Sequence, residues 1–393
     1  MKIAIIGKGT SAIISALVCI QNGHQVEIHY DPDKPALNVG ESTTPHIGEL
    51  LTSVLDICIG DLRDNGIVSF KNGIKFINWG KTDYFRHHFN SNLDAFQFES
   101  SIFNTFIHQK MEEVGVKYHP KKISEYRIEN DKVYINGHEY DFLISCSGWS
   151  DDNDYVKPLF ETVNSAILYT ENEVDDLTYT LHRATEHGWQ FGLPFPDRNL
   201  TKCGYLFNSK FHNKEEVQKL LGKEDCKTID WSPKYAKKMV ISKYEAYNGN
   251  RLMFLEPLQA LSLFYYVRYA QHICKFLEDR TLETFEVANQ LYYQELFDYQ
   301  ISLAFHYSYG SKFDSIFWQD VHTRAKDFMN IHPRLSEDSL SYAYNYASKY
   351  RSDNLLNIGV FRYRDFRAIH SGMTGVPMSE FTKSVYIPGF LCP

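Results

Sequence analysis

Paired cysteines are the first thing this chain lacks. Its seven cysteines (Cys19, Cys58, Cys146, Cys203, Cys226, Cys274 and Cys392) include no CxxC spacing. An odd, scattered set argues against a disulfide framework and structural zinc, and it points to a reduced, cytoplasmic setting. Dense Lys/Arg runs are lacking too: 41 basic residues stand against 49 acidic ones, for a formal charge of −8. A dedicated nucleic-acid binder is therefore not expected. Apolar runs stop well short of the ~20 residues that a membrane span needs. The first residues already read as a strand, so neither membrane attachment nor a signal peptide is expected. The sixteen histidines contain no HxxH or HExxH spacing. No metal site is expected from them, and His87-His88 reads as surface. Internal repeats and low-complexity tracts are absent as well.

The remaining composition, 43% hydrophobic and 23% charged, is that of an ordinary soluble globule. At 393 residues the chain exceeds one average domain of ~100–200 residues, so two modules are expected. Lys2 to Ile6 (KIAII) is an apolar run of the kind buried in a parallel sheet. It feeds into Gly7-Lys8-Gly9-Thr10-Ser11-Ala12, a G-x-G-x-x-A turn opening a helical stretch. The first glycine permits the tight turn and the second lets backbone approach a pyrophosphate. The small third residue, Ala12, lets helix and strand pack closely. Free N–H groups at the helix start favour phosphate oxygens. These features predict an α/β, Rossmann-like dinucleotide module. Asp31 is the nearest acidic residue for the ribose, with Tyr30 in the more usual place.

Downstream, Val39-Gly40-Glu41-Ser42-Thr43-Thr44-Pro45-His46-Ile47, preceded by Asn38, resembles the V-G-E-A-T-x-P-x-I segment of flavin-dependent halogenases, the superfamily of the tryptophan halogenases. Further marks follow in family order. Phe70-Lys71-Asn72-Gly73-Ile74-Lys75-Phe76-Ile77-Asn78-Trp79 resembles F-K-x-G-I-x-F-x-x-W, and 141–149 resembles the second flavin strand, with Gly148 and Trp149 at its end. Trp189-Gln190-Phe191-Gly192-Leu193-Pro194 resembles W-x-W-x-I-P. The 255–262 segment sits where the family has D-P-L-E-S-T-G, and His306-Tyr307 with Phe317-Trp318 resembles its H-Y…F-W region.

The resemblance implies a two-component enzyme. Reduced FAD from a separate NAD(P)H-dependent flavin reductase, with O2, oxidises halide to hypohalous acid, which halogenates a small aromatic substrate. It implies FAD contacts at Gly7, Gly9, Thr10, Ser11, Ala12, Asp31, Val39, Gly40, Glu41, Ser42, Thr43 and Gly148. Lys71 is the implied catalytic lysine. Lys75, four residues on, is expected on the same strand face but is read as an ordinary solvated lysine. Trp189 and Phe191, two apart on one strand face, are implied to wall the flavin off from the substrate. Backbone N–H groups of Leu261 and Ser262 are implied to hold the halide. Gln259 stands where the tryptophan enzymes carry a glutamate beside the lysine, which suggests an electron-rich, loosely selected substrate. Bromide or iodide is expected over chloride, both being easier to oxidise and dehydrate.

By the same resemblance, 1–150 and about 245–275 form the FAD module, 151–244 a second mixed sheet, and 276–393 a helical region covering the substrate. A homo-oligomer is left open. Two alternatives stand beside this assignment: a flavin-dependent aromatic hydroxylase, and a non-catalytic flavin-binding relative. Elsewhere, Phe98, Ile102, Phe103, Phe106, Ile107 and Met111 recur at helical spacing. Asn136-Gly137 predicts a hairpin turn, with strands at 132–135 and 140–145. The aromatic-rich stretch from Phe264 to Tyr299 is read as packed helix faces.

Overall fold

A computed structural model describes residues 1–34, 39–89, 95–148, 155–223, 226–331 and 357–378. Asn38, Trp149 and much of the expected C-terminal cover lie outside them. The chain divides into two compact units, Met1–Phe70, Ser91–Lys157 and Pro233–Gln294 in the first, and Lys71–Asn90, Pro158–Ser232 and Glu295–Pro393 in the second. Residues 71–90, placed by sequence within the FAD module, thus pack with the second unit.

The first unit is built on a six-stranded sheet. Its order is Val240–Ser242, Glu245–Tyr247, Phe142–Ser145, Lys2–Ile6, Gln25–Tyr30, Lys117–Pro120. Lys2–Ile6 runs parallel to both neighbours, and Ile3, Ala4 and Ile5 are fully buried, which explains the unbroken apolar run. The helix Thr10–Gln21 follows directly. A small antiparallel sheet of Tyr126–Glu129, Lys132–Ile135 and His138–Tyr140 carries the expected hairpin. Asn136 and Gly137 both adopt positive φ, 49° and 83°, as a type I′ turn requires. The strand expected over 140–145 is two, because Asp141 interrupts it: its carboxylate accepts from the Lys2 N–H at 2.8 Å and from Lys132 at 2.7 Å.

Buried polar groups join strands of this unit. The Tyr140 hydroxyl donates to Glu27 at 2.7 Å and lies 2.6 Å from His29 Nε2, and His119 Nε2 is 2.8 Å from Glu27. Burial pushes Glu27 up, but the bonds from Tyr140, His119 and Lys2 outweigh it and hold the carboxyl at about 2. Glu27, His29 and His119 bring their ligand atoms within 4.8 Å of one another, a spacing compatible with a metal ion. Here they are engaged with the tyrosine hydroxyl and with each other.

The helical stripe begins later than its spacing suggests. Phe98 belongs to the strand Ala95–Glu99, and the helix Ser100–Glu113 buries Phe103, Ile107 and Met111 while Ile102 is exposed. The aromatic helices pack as expected: Tyr265, Tyr269, Tyr292 and Tyr299 are fully buried.

The second unit holds a seven-stranded sheet. Its order is Lys227–Asp230, Ser165–Glu171, Leu200–Phe207, Gly188–Phe195, Tyr179–Thr185, Gly73–Ile77, Tyr84–His88. All neighbours are antiparallel except Tyr179–Thr185 and Gly73–Ile77. Tyr205, Ile167 and Phe207 cluster with Val217 of the helix Lys214–Leu221. Elsewhere in this unit Trp79 packs against Trp189, Tyr307 and Trp318 at ring separations of 6.1, 5.8 and 5.5 Å.

Candidate active site

In the first unit the glycine turn has the form its sequence requires. Gly7 sits at φ 126°, and a Cβ there would come within 2.7 Å of the Cys146 carbonyl oxygen. At Gly9 a Cβ would meet no heavy atom within 4 Å, and Gly148 (φ 79°) is equally open. Ala12 is fully buried where helix meets sheet. This uncluttered cradle beside the helix's leading N–H groups fits a dinucleotide pyrophosphate.

The segment from Val39 to Thr43 is tied to the same place. Glu41 accepts hydrogen bonds from Thr10 at 2.7 Å and Ser100 at 2.6 Å, and burial pushes its pKa up despite both. Val39 accepts from the Ser100 backbone and hydroxyl at 3.0 and 2.7 Å. Gly40–Ser42 pairs with Gln97–Glu99, and Thr43 exchanges bonds with Phe96. Asp31 instead accepts from its own loop, at the Asp33 N–H. Sequence reasoning missed Asn248 and Gly249. A Cβ on Gly249 would lie 2.3 Å from the Ser11 side chain, and fully buried Asn248 donates to Ser15 and to the Tyr266 carbonyl. Only glycine lets that turn press on the nucleotide helix, a constraint that appears in no local spacing.

Gln259 and Ala260, also in the first unit, both adopt left-handed backbone at φ 64° and 56°. Such geometry costs a non-glycine residue about 1–2 kcal/mol. The helix Leu261–Leu277 starts at the next residue. Leu261 and Ser262 are therefore its first two residues, whose N–H groups its own ladder does not use. Gln259, Leu261 and Glu256 are buried.

Lys71 is the first residue of the second unit and ends the strand Val68–Lys71. It is only 2% exposed, and burial pushes its ammonium down to about 7. The Phe89 ring centroid is 5.0 Å from Nζ. The expectation that Lys75 shares its strand face is corrected. Asn72 breaks the run, donating to the Thr178 carbonyl at 2.7 Å, and Gly73 opens a new strand in the seven-stranded sheet. A Cβ at Gly73 would lie 2.1 Å from the His87 carbonyl oxygen. Lys75 reaches Asp175 and Asp176 at 3.5 and 3.7 Å.

Trp189 and Phe191 share a sheet face, with His182 directly across the strand pair from Phe191. Trp189 is fully buried, and its Nε1 has no hydrogen-bond partner among the described residues. The Phe191 ring lies over Gly204, where a Cβ would come within 2.3 Å of it. The expectation of a surface His87 is also corrected: it is 4% exposed and 3.2 Å from Asp365. His182 and His306, the latter part of the H-Y mark, are buried as well, and sequence reasoning missed His182. The His182 ring is 4.9 Å from Trp189 and 5.4 Å from Phe76, and His306 is 5.8 Å from Phe76. Strand alternation from Phe76 would not have found His182, because the pairing joins segments about a hundred residues apart.

The sequence model of the tryptophan halogenase family matches residues 2–94 and 90–378. The chain belongs to that family. As a member it is an FAD-dependent halogenating oxidoreductase. Solved structures agree on the fold. BrvH, a flavin-dependent halogenase from Brevundimonas sp. BAL3, superposes with a TM-score of 0.77 at 16% identity, covering 96% of this chain and 90% of that one. Xcc4156, a flavin-dependent halogenase from Xanthomonas campestris, gives 0.77 at 15%, covering 100% and 99%. A tryptophan halogenase from Shewanella frigidimarina gives 0.77 at 17%, covering 100% and 91%. No curated protein sequence matches. Among the described residues of this halogenase, no helix is long and apolar enough to cross a membrane.

Proposed function

We propose that this halogenase is a two-component enzyme that transfers oxidised halogen, through Lys71, to an electron-rich phenol, indole or other heteroarene. Bound FAD, reduced by a separate NAD(P)H-dependent reductase, would supply with O2 the oxidant that turns halide into hypohalous acid. Gly7, Gly9 and the start of Thr10–Gln21 would cradle its pyrophosphate, and Val39 to Thr43 would line the same cradle. The switch from left- to right-handed backbone between Ala260 and Leu261 favours neighbouring N–H groups turned to one side, which suits an anion. Leu261 and Ser262 would hold the halide there.

The observation that carries the proposal is the burial of Lys71. An amine with little water around it keeps much of its neutral form near pH 7. Its lone pair can then take halogen from hypohalous acid, while the charged form can polarise the O–X bond. Trp189 and Phe191 would keep the oxidant from reaching the substrate unguided. Gln259 cannot accept a proton as a carboxylate does, so the substrate must be activated enough to lose its ring proton without that help. Bromide and iodide are the preferred halides in this proposal.

The test is an arene panel with FAD, reductase, O2 and each halide, read by mass spectrometry. Halogenated phenols or indoles should form, more readily with bromide than chloride. Oxygenated products only, or NADPH consumption by the purified protein without a reductase, would favour a hydroxylase and overturn the proposal.

A further inference from the structure

We infer that Glu27, His29 and His119 form a binding site for a zinc-type divalent cation at the edge of the six-stranded sheet. Glu27 and His29 are two residues apart on the strand Gln25–Tyr30 and so share one face. His119, on the edge strand Lys117–Pro120, pairs in parallel register with His29. The two imidazoles stack at 4.4 Å and 15°, and one ligand atom from each of the three residues lies within 4.8 Å of the others. Histidine spacing along the chain could not show this set, because Glu27 and His119 are 92 residues apart.

The hydrogen bonds of the cluster carry a second observation. Tyr140 donates its one hydroxyl proton to Glu27 Oε2 at 2.7 Å, so in its 2.6 Å contact with His29 the donor is Nε2. His29 Nδ1 is then a bare acceptor, in a residue with no exposed surface, and it has no hydrogen-bond partner among the described residues. That nitrogen is free to take the Nε2 proton, which releases the Nε2 lone pair for a cation without a change of net charge. His119 Nε2 lies 2.8 Å from Glu27 Oε2 and can make the same exchange, since its side chain is 21% exposed. Lys2 Nζ contacts the other carboxylate oxygen, Oε1, at 3.1 Å, and Oε2 remains directed at the two imidazoles.

Two imidazole nitrogens and one carboxylate oxygen are a ligand set for Zn2+, whereas Ca2+ and Mg2+ call for oxygen ligands throughout. Water would complete the tetrahedron, entering past His119 and the exposed His138, whose rings are 4.3 Å apart. The ion would cross-link the edge strand to its neighbour. It would also brace the glycine turn, because the Gly7 N–H donates to the His29 carbonyl at 2.9 Å. The site is independent of the Lys71 assignment.

Titration calorimetry of the full-length protein with Zn2+, after treatment with a chelator and dialysis, tests the site. Wild type should bind one equivalent, and its melting temperature should rise with Zn2+ concentration. His119→Gln keeps an N–H that can donate to Glu27 but lacks the imidazole lone pair; it should bind at least about tenfold more weakly and lose the rise in melting temperature. Glu27→Gln should weaken binding as well, and circular dichroism checks that both variants are folded. Co2+ in place of Zn2+ should give the intense visible bands of tetrahedral coordination in wild type alone. Absence of Zn2+ binding in wild type would overturn the site, as would binding that is equal in wild type and His119→Gln.

Discussion

Glu27 in the first unit and Lys71 in the second are both nearly sealed from water, at 6% and 2% exposure, yet they end in opposite states. Around Glu27, hydrogen bonds from Tyr140, His119 and Lys2 outweigh burial and keep the carboxylate charged. At Lys71 burial dominates, and the amine titrates near 7. Burial fixes the direction in which a pKa is pushed, and the local partners decide how far the push succeeds. One site spends its ionisable groups on holding strands together; the other holds an amine that burial pushes towards its neutral form.

The largest expected effect breaks this comparison by function. Lys71→Ala should lower arene halogenation by at least about a hundredfold, while flavin oxidation and free hypohalous acid continue. Glu27→Gln should leave halogenation per folded molecule within about twofold. A Lys71→Ala enzyme that halogenates like wild type would remove the functional half of the contrast.

Stability should separate the two sites with opposite signs. Lys71→Met replaces a buried amine by an apolar side chain of similar length and should stabilise the protein by about 2–4 kcal/mol. Glu27→Gln should destabilise it by about 1–3 kcal/mol, since three bonds lose their charged acceptor. Denaturant midpoints at pH 7 measure both. If both variants destabilise, then Lys71 is held by native partners more strongly than its burial implies.

The pH dependence sharpens the contrast further. The folded pKa of Glu27 is about 2, below its ordinary 4.5. Its contribution is therefore fully present above pH 4.5 and lost as pH falls through 2. For Lys71 the unfolded chain binds a proton between about 7 and 10.5 that the folded chain does not. The resulting penalty is complete below pH 7 and fades as pH climbs to 10.5. Melting curves of Lys71→Met and wild type should converge towards pH 10, and those of Glu27→Gln and wild type towards pH 2.

Some of this was legible in the sequence and some was not. The glycine turn was legible because strand, turn and helix are contiguous, so Gly7, Gly9 and Ala12 meet their structural needs within a dozen residues. Trp189 and Phe191 were legible as face-sharing neighbours because strand periodicity is local. The break at Asn72 was not, because its N–H bonds the Thr178 carbonyl, a partner more than a hundred residues away. His87 read as surface for a related reason: its partner Asp365 lies 278 residues away. Glu27 offered no signal at all, since its partners Lys2, His119 and Tyr140 come from three separate segments.

The smallest expected effect concerns Lys75, which shares Lys71's chemistry and lies only four residues away. Its ion pairs with Asp175 and Asp176 are long, at 3.5 and 3.7 Å, and Asp175 is half exposed. Such pairs contribute about 0–1 kcal/mol. Lys75→Ala should therefore shift stability by less than about 1 kcal/mol and, being on a strand apart from Lys71, change halogenation less than twofold. Assays at low and high salt are the sharper form of this test, because a surface pair weakens with ionic strength and a buried amine does not. A loss of arene halogenation in Lys75→Ala comparable to that in Lys71→Ala would mean that burial had identified the wrong lysine.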